Sequence, residues 1–136
     1  MNTKNFKTLF VLSLLMLVLT ACTGKSAALE GTSWQLVDFA GKPLVPGHNP
    51  TMSFQEGRIG GNSSCNTYGG DYTLKGEKIE FGMMMSTMMA CAENDAMTQE
   101  QEYLVLLGEV ESWALQDGQL FLHSAAGDTL VFNALH

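Results

Sequence analysis

Glycine sets the grain of this chain. From Leu29 onward it recurs thirteen times, and outside the interval between Gly82 and Gly108 no more than nine residues separate one glycine from the next. Segments that short leave room for strands and turns but not for helices. Several of them alternate. Ser33 to Phe39 puts Trp34, Leu36 and Asp38 on one face and Gln35, Val37 and Phe39 on the other. Thr51 to Gln55 and Arg58 to Asn62 flank the turn Glu56-Gly57, and Gly70 to Leu74 and Lys78 to Phe81 flank Lys75-Gly-Glu77. Both read as hairpins. Glu111 to Leu115, Gln119 to His123 and Thr129 to Phe132 supply late strands around Asp117-Gly118 and Ala126-Gly-Asp128. Gly41 to Pro50, with Pro43, Pro46 and Pro50, is a loop, because proline cannot serve a ladder.

The long interval breaks the rhythm twice. Met83 to Met89 reads as one more extended segment. Asn94 to Gly108 carries good helix formers, early acids and a glycine stop, so it reads as a helix. Asp95 or Thr98 would cap it, and Met97, Leu104 and Leu107 would form its inward stripe with Tyr103 beside them. The expected architecture is α+β and mainly β. It is a small curved antiparallel sheet or partial barrel of seven to nine strands, with one helix over an open end or face.

The first residues do not belong to that fold. Lys4 and Lys7 precede an apolar stretch of 11 residues, Leu9 to Leu19, where a spanning helix needs ~20. A basic start, a short apolar core and small residues after it read as an export signal over residues 1–21. The segment ends Leu19-Thr-Ala-Cys22 and resembles the bacterial lipobox, which implies acylation of Cys22 and cleavage before it. Multiple acyl chains on one cysteine anchor stably, since each buried methylene contributes ~0.8 kcal/mol. Residues 22–28 form a small polar tether. Thr23, rather than Asp, follows the cysteine, which points to the outer membrane facing the periplasm. The partner implied is therefore the membrane, through a lipid. With 14 acidic residues against 7 basic ones, nucleic acid is not expected as a partner.

Cys65 and Cys91 remain. An oxidising compartment favours a bridge between them, the alternative being two buried free thiols. The acid pairs Glu100/Glu102 and Glu109/Glu111 read as solvated faces. Ser63, Ser64 and His123 match no nucleophile elbow, and the paired glycines Gly60-Gly61 and Gly69-Gly70 precede no helix, so neither a hydrolase nor a phosphate-cradling loop is expected.

Two motifs carry a resemblance: Gly60-Gly-Asn-Ser-Ser-Cys-Asn-Thr-Tyr-Gly-Gly-Asp-Tyr72 and Met85-Ser-Thr-Met-Met-Ala-Cys91. With Trp34-Gln-Leu and Gly118-Gln-Leu-Phe-Leu near the ends, they resemble the META domain, the family of the heat-shock lipoprotein HslJ, over residues 29–133. The matching motif positions are Asn66, Tyr68, Gly69, Gly70, Thr87, Met88 and Met89. Ser64 stands where the family often has glycine. Ser86-Thr-Met stands where it often has Thr-Arg-Met, so no role needing that arginine is carried over. The resemblance implies an exported, non-enzymatic domain linked to heat or antibiotic stress, with no cofactor and with Asn66 satisfying turn backbone groups.

Three kinds of binding are consistent with the residues. One is an envelope protein partner met by the loops 41–50 and 60–70, with Tyr68 and Tyr72 as surface aromatics. Another is a small apolar ligand in a pocket lined by Trp34, Phe54, Met85 and Phe121. The third is Cu(I) held by thioethers of Met83, Met85, Met88 and Met89, with His48, His123 or Cys91 adding ligands. Against the last stands the ordinary use of methionine as adaptable core filler.

Overall fold

A computed structural model describes residues 28–136. The expected signal over 1–21, the expected acylation at Cys22 and nearly all of the expected tether lie outside the described residues. Nine strands follow: β1 (Ser33–Phe39), β2 (Thr51–Gln55), β3 (Arg58–Asn62), β4 (Thr67–Lys75), β5 (Lys78–Phe81), β6 (Met85–Ser86), β7 (Val110–Gln116), β8 (Gln119–Ser124) and β9 (Thr129–Leu135). The helix α1 (Asn94–Gly108) separates β6 from β7. The strands run β3-β2-β1-β9-β8-β7-β5-β4, and β4 pairs back onto β3, which closes an eight-stranded antiparallel barrel. β6 is a short ninth strand laid along Tyr68 and Gly69 of β4.

Turn chemistry explains the hairpins. Glu56-Gly57 and Asp117-Gly118 each place two successive residues at positive φ, the requirement of the tight turn whose twist matches the flanking strands. One glycine is fixed by crowding instead. A Cβ on Gly61 would lie 2.1 Å from the Thr51 carbonyl oxygen, so only glycine lets β3 pass β2 this closely.

β1 departs from simple alternation. Its register against β9 shifts between Leu36 and Asp38. The bulge reverses the faces, so that Phe39 is buried and Asp38 is exposed, not the reverse. Trp34, Leu36, Phe39, Met52, Phe54, Ile59, Tyr68, Tyr72, Ile79, Trp113, Leu120, Leu122, Leu130 and Phe132 fill the barrel.

The helix closes one mouth of the barrel. The Gln35–Thr51 and Asn62–Thr67 pairs mark that end, and the loops beside them bond to α1. The expected inward stripe was displaced: Ala96, Gln99, Glu100, Tyr103 and Leu107 are the buried residues of α1, while Met97 and Leu104 are half-buried. Asp95 and Thr98 do not cap it. The N-cap is Glu93, without a side-chain capping bond, and the Thr98 hydroxyl donates back to the Asn94 carbonyl at 3.2 Å.

Candidate functional site

Three segments distant in sequence meet at the closed mouth: the loop 40–50, the turn 62–66 and the strap 82–93 that leads into α1. Asn66 ties two of them. It is buried and uses its whole amide. Its Oδ1 accepts from the Met89 N–H at 2.7 Å and the Thr87 hydroxyl at 2.8 Å, and its Nδ2 donates to the Met89 carbonyl at 3.1 Å and Glu100 Oε1 at 2.7 Å. Thr67 and Thr87 add a backbone bond of 3.0 Å. The Cys65–Cys91 disulfide, with Cα atoms 5.9 Å apart, bridges the same two segments, as the cysteine count suggested.

Beneath this lies a carboxylate for which the sequence pattern predicts a solvated face. Glu100 is 8% exposed. Its Oε2 accepts the Asn66 N–H at 2.7 Å, the Ser63 hydroxyl at 2.8 Å and the Cys65 N–H at 3.1 Å. Burial alone raises its pKa, but the bonds from Asn66, Ser63 and Cys65 outweigh that and hold it below the ordinary 4.5. Four donors converge on this carboxylate, so it works as a structural anion around which the turn is wrapped. Its partner Glu102 is exposed and meets Lys42 Nζ at 2.8 Å. The helical spacing held the clue: Ala96, Glu100, Tyr103 and Leu107 share one stripe.

Gln99 does the same for the other loop. Its Oε1 accepts the Val45 N–H at 2.7 Å, and its Nε2 donates to the His48 carbonyl at 2.7 Å and the Ser64 hydroxyl at 2.6 Å. Ser64 has φ +134°, a conformation glycine adopts readily and other residues resist. Its N–H donates to Asn62 Oδ1 at 2.9 Å and its hydroxyl donates to the His48 carbonyl at 3.1 Å. These bonds offset the backbone strain where a glycine would avoid it. His48 Nε2 lies 2.6 Å from Glu93 Oε2.

The two tyrosines expected on a binding surface are internal. Tyr68 is 5% exposed. Its hydroxyl lies 2.7 Å from that of Tyr103 and 3.0 Å from the Thr51 carbonyl, and burial pushes its pKa up. Tyr72 is buried against Phe54, ring centroids 5.0 Å apart. It donates to Glu30 Oε2 at 2.9 Å, and burial followed by the Glu30 bond and charge pushes its pKa up to about 12. Both face inward because β4 alternates and its odd-numbered residues, Asp71 and Thr73, take the solvent side. The pocket expected around Trp34, Phe54, Met85 and Phe121 is not assembled. Trp34 and Phe54 are core, Met85 is exposed, and Phe121 stacks on His123. An open concavity of about 460 Å³ lies elsewhere, among Lys75, Lys78, Glu80 and Glu111.

The methionines reverse the packing expectation. Met83, Met85, Met88 and Met89 are 88%, 67%, 97% and 61% exposed, and only Met84 of that run packs against the core. Among the described residues no group of three or more His, Cys, Asp or Glu could hold a metal ion.

Residues 27–136 match the sequence model of the META domain. An NMR structure of a protein from Burkholderia xenovorans is similar to this chain with a TM-score of 0.69 and 30% identity, over 87% of this chain and 92% of that one. A second NMR structure aligns with a TM-score of 0.64 and 25% identity, covering 83% and 95%. A crystal structure of a DUF4847 family protein from Bacteroides vulgatus ATCC 8482 shares the fold, with a TM-score of 0.60 at 15% identity and coverage of 82% and 96%. No curated protein gives a significant match.

Proposed function

The chain belongs to the META domain family, and on that premise we propose that it is a lipid-anchored envelope protein that acts by binding rather than by catalysis. Acylated Cys22 would hold it at the outer membrane, facing the periplasm, and its service would be under heat or antibiotic stress. The observation that carries the binding reading is the strap. Asn66 and the disulfide fix its backbone, yet four of its large side chains stand in water. Contiguous apolar exposure on a fixed backbone supports contact with a protein partner.

Two further observations point the same way. Ser63, Asn66 and Glu100 spend their hydrogen bonds on one another, on Thr87 and on the backbone, and Tyr68 spends its own on Tyr103 and the Thr51 carbonyl. The barrel interior is occupied by Trp34, Phe54, Tyr68 and Phe132, which directs a partner to the outside.

Address and surface are tested separately. Feeding cells a fatty-acid analogue should label the wild-type protein and not Cys22→Ala, and equal labelling would overturn the anchor. Crosslinking in the envelope should capture a partner with the wild type and lose it with Met88→Gln/Met89→Gln. Unchanged capture by a folded variant would overturn the strap as the binding surface.

A further inference from the structure

The large exposed apolar side chains of the strap are all of one chemical kind. Elsewhere the large apolar residues at the surface, Val37, Val105, Leu115 and Leu135, occur singly and carry no sulfur, which is ordinary. On the strap four occur within seven residues, and every one is a thioether. A surface selected for apolar area alone is served equally by leucine or valine. Uniform sulfur needs a different reason.

The backbone orders the strap around its one covered methionine. A Cβ on Gly70 would meet Met84 Sδ at 2.8 Å, so Met84 lies over β4. Alternation along the strap then puts Met83 and Met85 on the opposite, solvent side. Two residues of extended chain separate their Cα atoms by ~7 Å, a span that two unbranched side chains can close onto one ion. The hydroxyl of exposed Thr87 donates to Asn66 and accepts the Thr67 N–H, which turns this side chain toward β4. That turn carries the chain to Met88, almost wholly exposed, and to Met89, whose N–H and carbonyl are both held by Asn66.

The other candidate ligands are otherwise engaged. His48 is engaged by Glu93 and by the Ser64 carbonyl. His123 is bonded to Thr129, and Cys91 is consumed in the disulfide. Neutral, soft, polarisable sulfur alone selects a soft monovalent ion and disfavours Zn(II) and Cu(II), which take imidazole and carboxylate.

We propose that Met83, Met85, Met88 and Met89 form a surface site for one Cu(I) ion. The proposal rests on the reading of the strap as the binding surface and names a ligand for it. The test is an anaerobic titration of the full chain in detergent, disulfide intact, with Cu(I) supplied as its bicinchoninate complex and ascorbate as reductant. The wild type should withdraw one equivalent of Cu(I). Replacing all four methionines with leucine should weaken retention about tenfold or more while leaving the thermal midpoint unchanged, since none of the four fills the core. Thioethers carry no proton to displace, so retention should be flat from pH 5 to 8, unlike a cysteine or histidine site. Failure to withdraw Cu(I), full retention by the leucine variant, or affinity rising steeply with pH would each overturn the site. The leucine variant keeps the apolar area. Loss of copper with partner capture intact therefore separates this proposal from the protein-binding reading, which the glutamine variant tests.

Discussion

Glu100→Gln is the sharpest probe of the closed mouth, because it removes a charge and keeps the shape. Glu100 Oε2 receives three donors, from Ser63, Cys65 and Asn66, and Oε1 receives Asn66 Nδ2 at 2.7 Å. Glutamine has one oxygen. Set at the Oε2 position, it leaves its own NH₂ against Asn66 Nδ2, donor facing donor. Hydrogen bonds to a charged acceptor contribute ~1.5–3 kcal/mol and neutral ones ~0.5–1.5, so three bonds weaken by roughly 1 kcal/mol each and a fourth is lost. Relief from burying a charge offsets part of this. The net expectation is a loss of about 2–3 kcal/mol, or roughly 10–20 °C for a domain of this size. Urea unfolding at pH 7, followed by the fluorescence of buried Trp34 and Trp113, measures it. The acid limb checks the cause. The folded pKa of Glu100 lies below its ordinary 4.5, so its stabilisation is complete above that value and is lost as pH falls through the lowered one. The gap between wild type and variant should be constant from pH 7 to about 5 and should close below it. A variant within ~0.5 kcal/mol of wild type, or a gap that widens in acid, would refute the assignment of Glu100 as a stabilising buried anion.

Removing the bridge by Cys65→Ser/Cys91→Ser should cost about 3.5 kcal/mol by chain entropy for a separation of 26 residues, read as a lower urea midpoint. Tyr68→Phe should cost ~1–2 kcal/mol in the same assay, because it takes a hydroxyl from Tyr103 and from the Thr51 carbonyl. Gly61→Ala should cost ~3 kcal/mol or more or prevent folding, since its Cβ would enter the Thr51 carbonyl; near-wild-type stability would mean that β2 and β3 separate easily. Ultraviolet titration should show Tyr72 ionising near 12. The stability it contributes is complete below the ordinary tyrosine value of 10.0 and lost as pH rises through 12, so a normal titration would place it in water.

Local signals in the chain disclosed most of the barrel. Period-two alternation and paired turn residues mark β2, β3, β5 and β8, and helix formers bounded by Gly108 mark α1. The bulge in β1 could not be read, because it depends on pairing with β9, about a hundred residues away. Glu100 was misplaced for a related reason. A glutamate on a helix is ordinarily solvated, and the donors that reverse this come from residues 63 to 66. The strap inverted the usual rule for methionine. Nothing in a run of seven residues says which side of it will be covered, and here hydrogen bonds of Asn66 and Thr87 decide it rather than apolar contact. Cys65 and Cys91 were legible because chemistry, not packing, constrains their choices.

The pairing of β1 with β9 has a consequence in time. Ser33 faces Leu135 and Phe39 faces Leu130, so the first strand of the barrel waits for the last. At ~5–20 residues per second of synthesis, β1 keeps one edge open for roughly 5–20 s. During that interval the chain cannot close its barrel. The same delay leaves a strand edge able to pair with the wrong neighbour until β9 arrives.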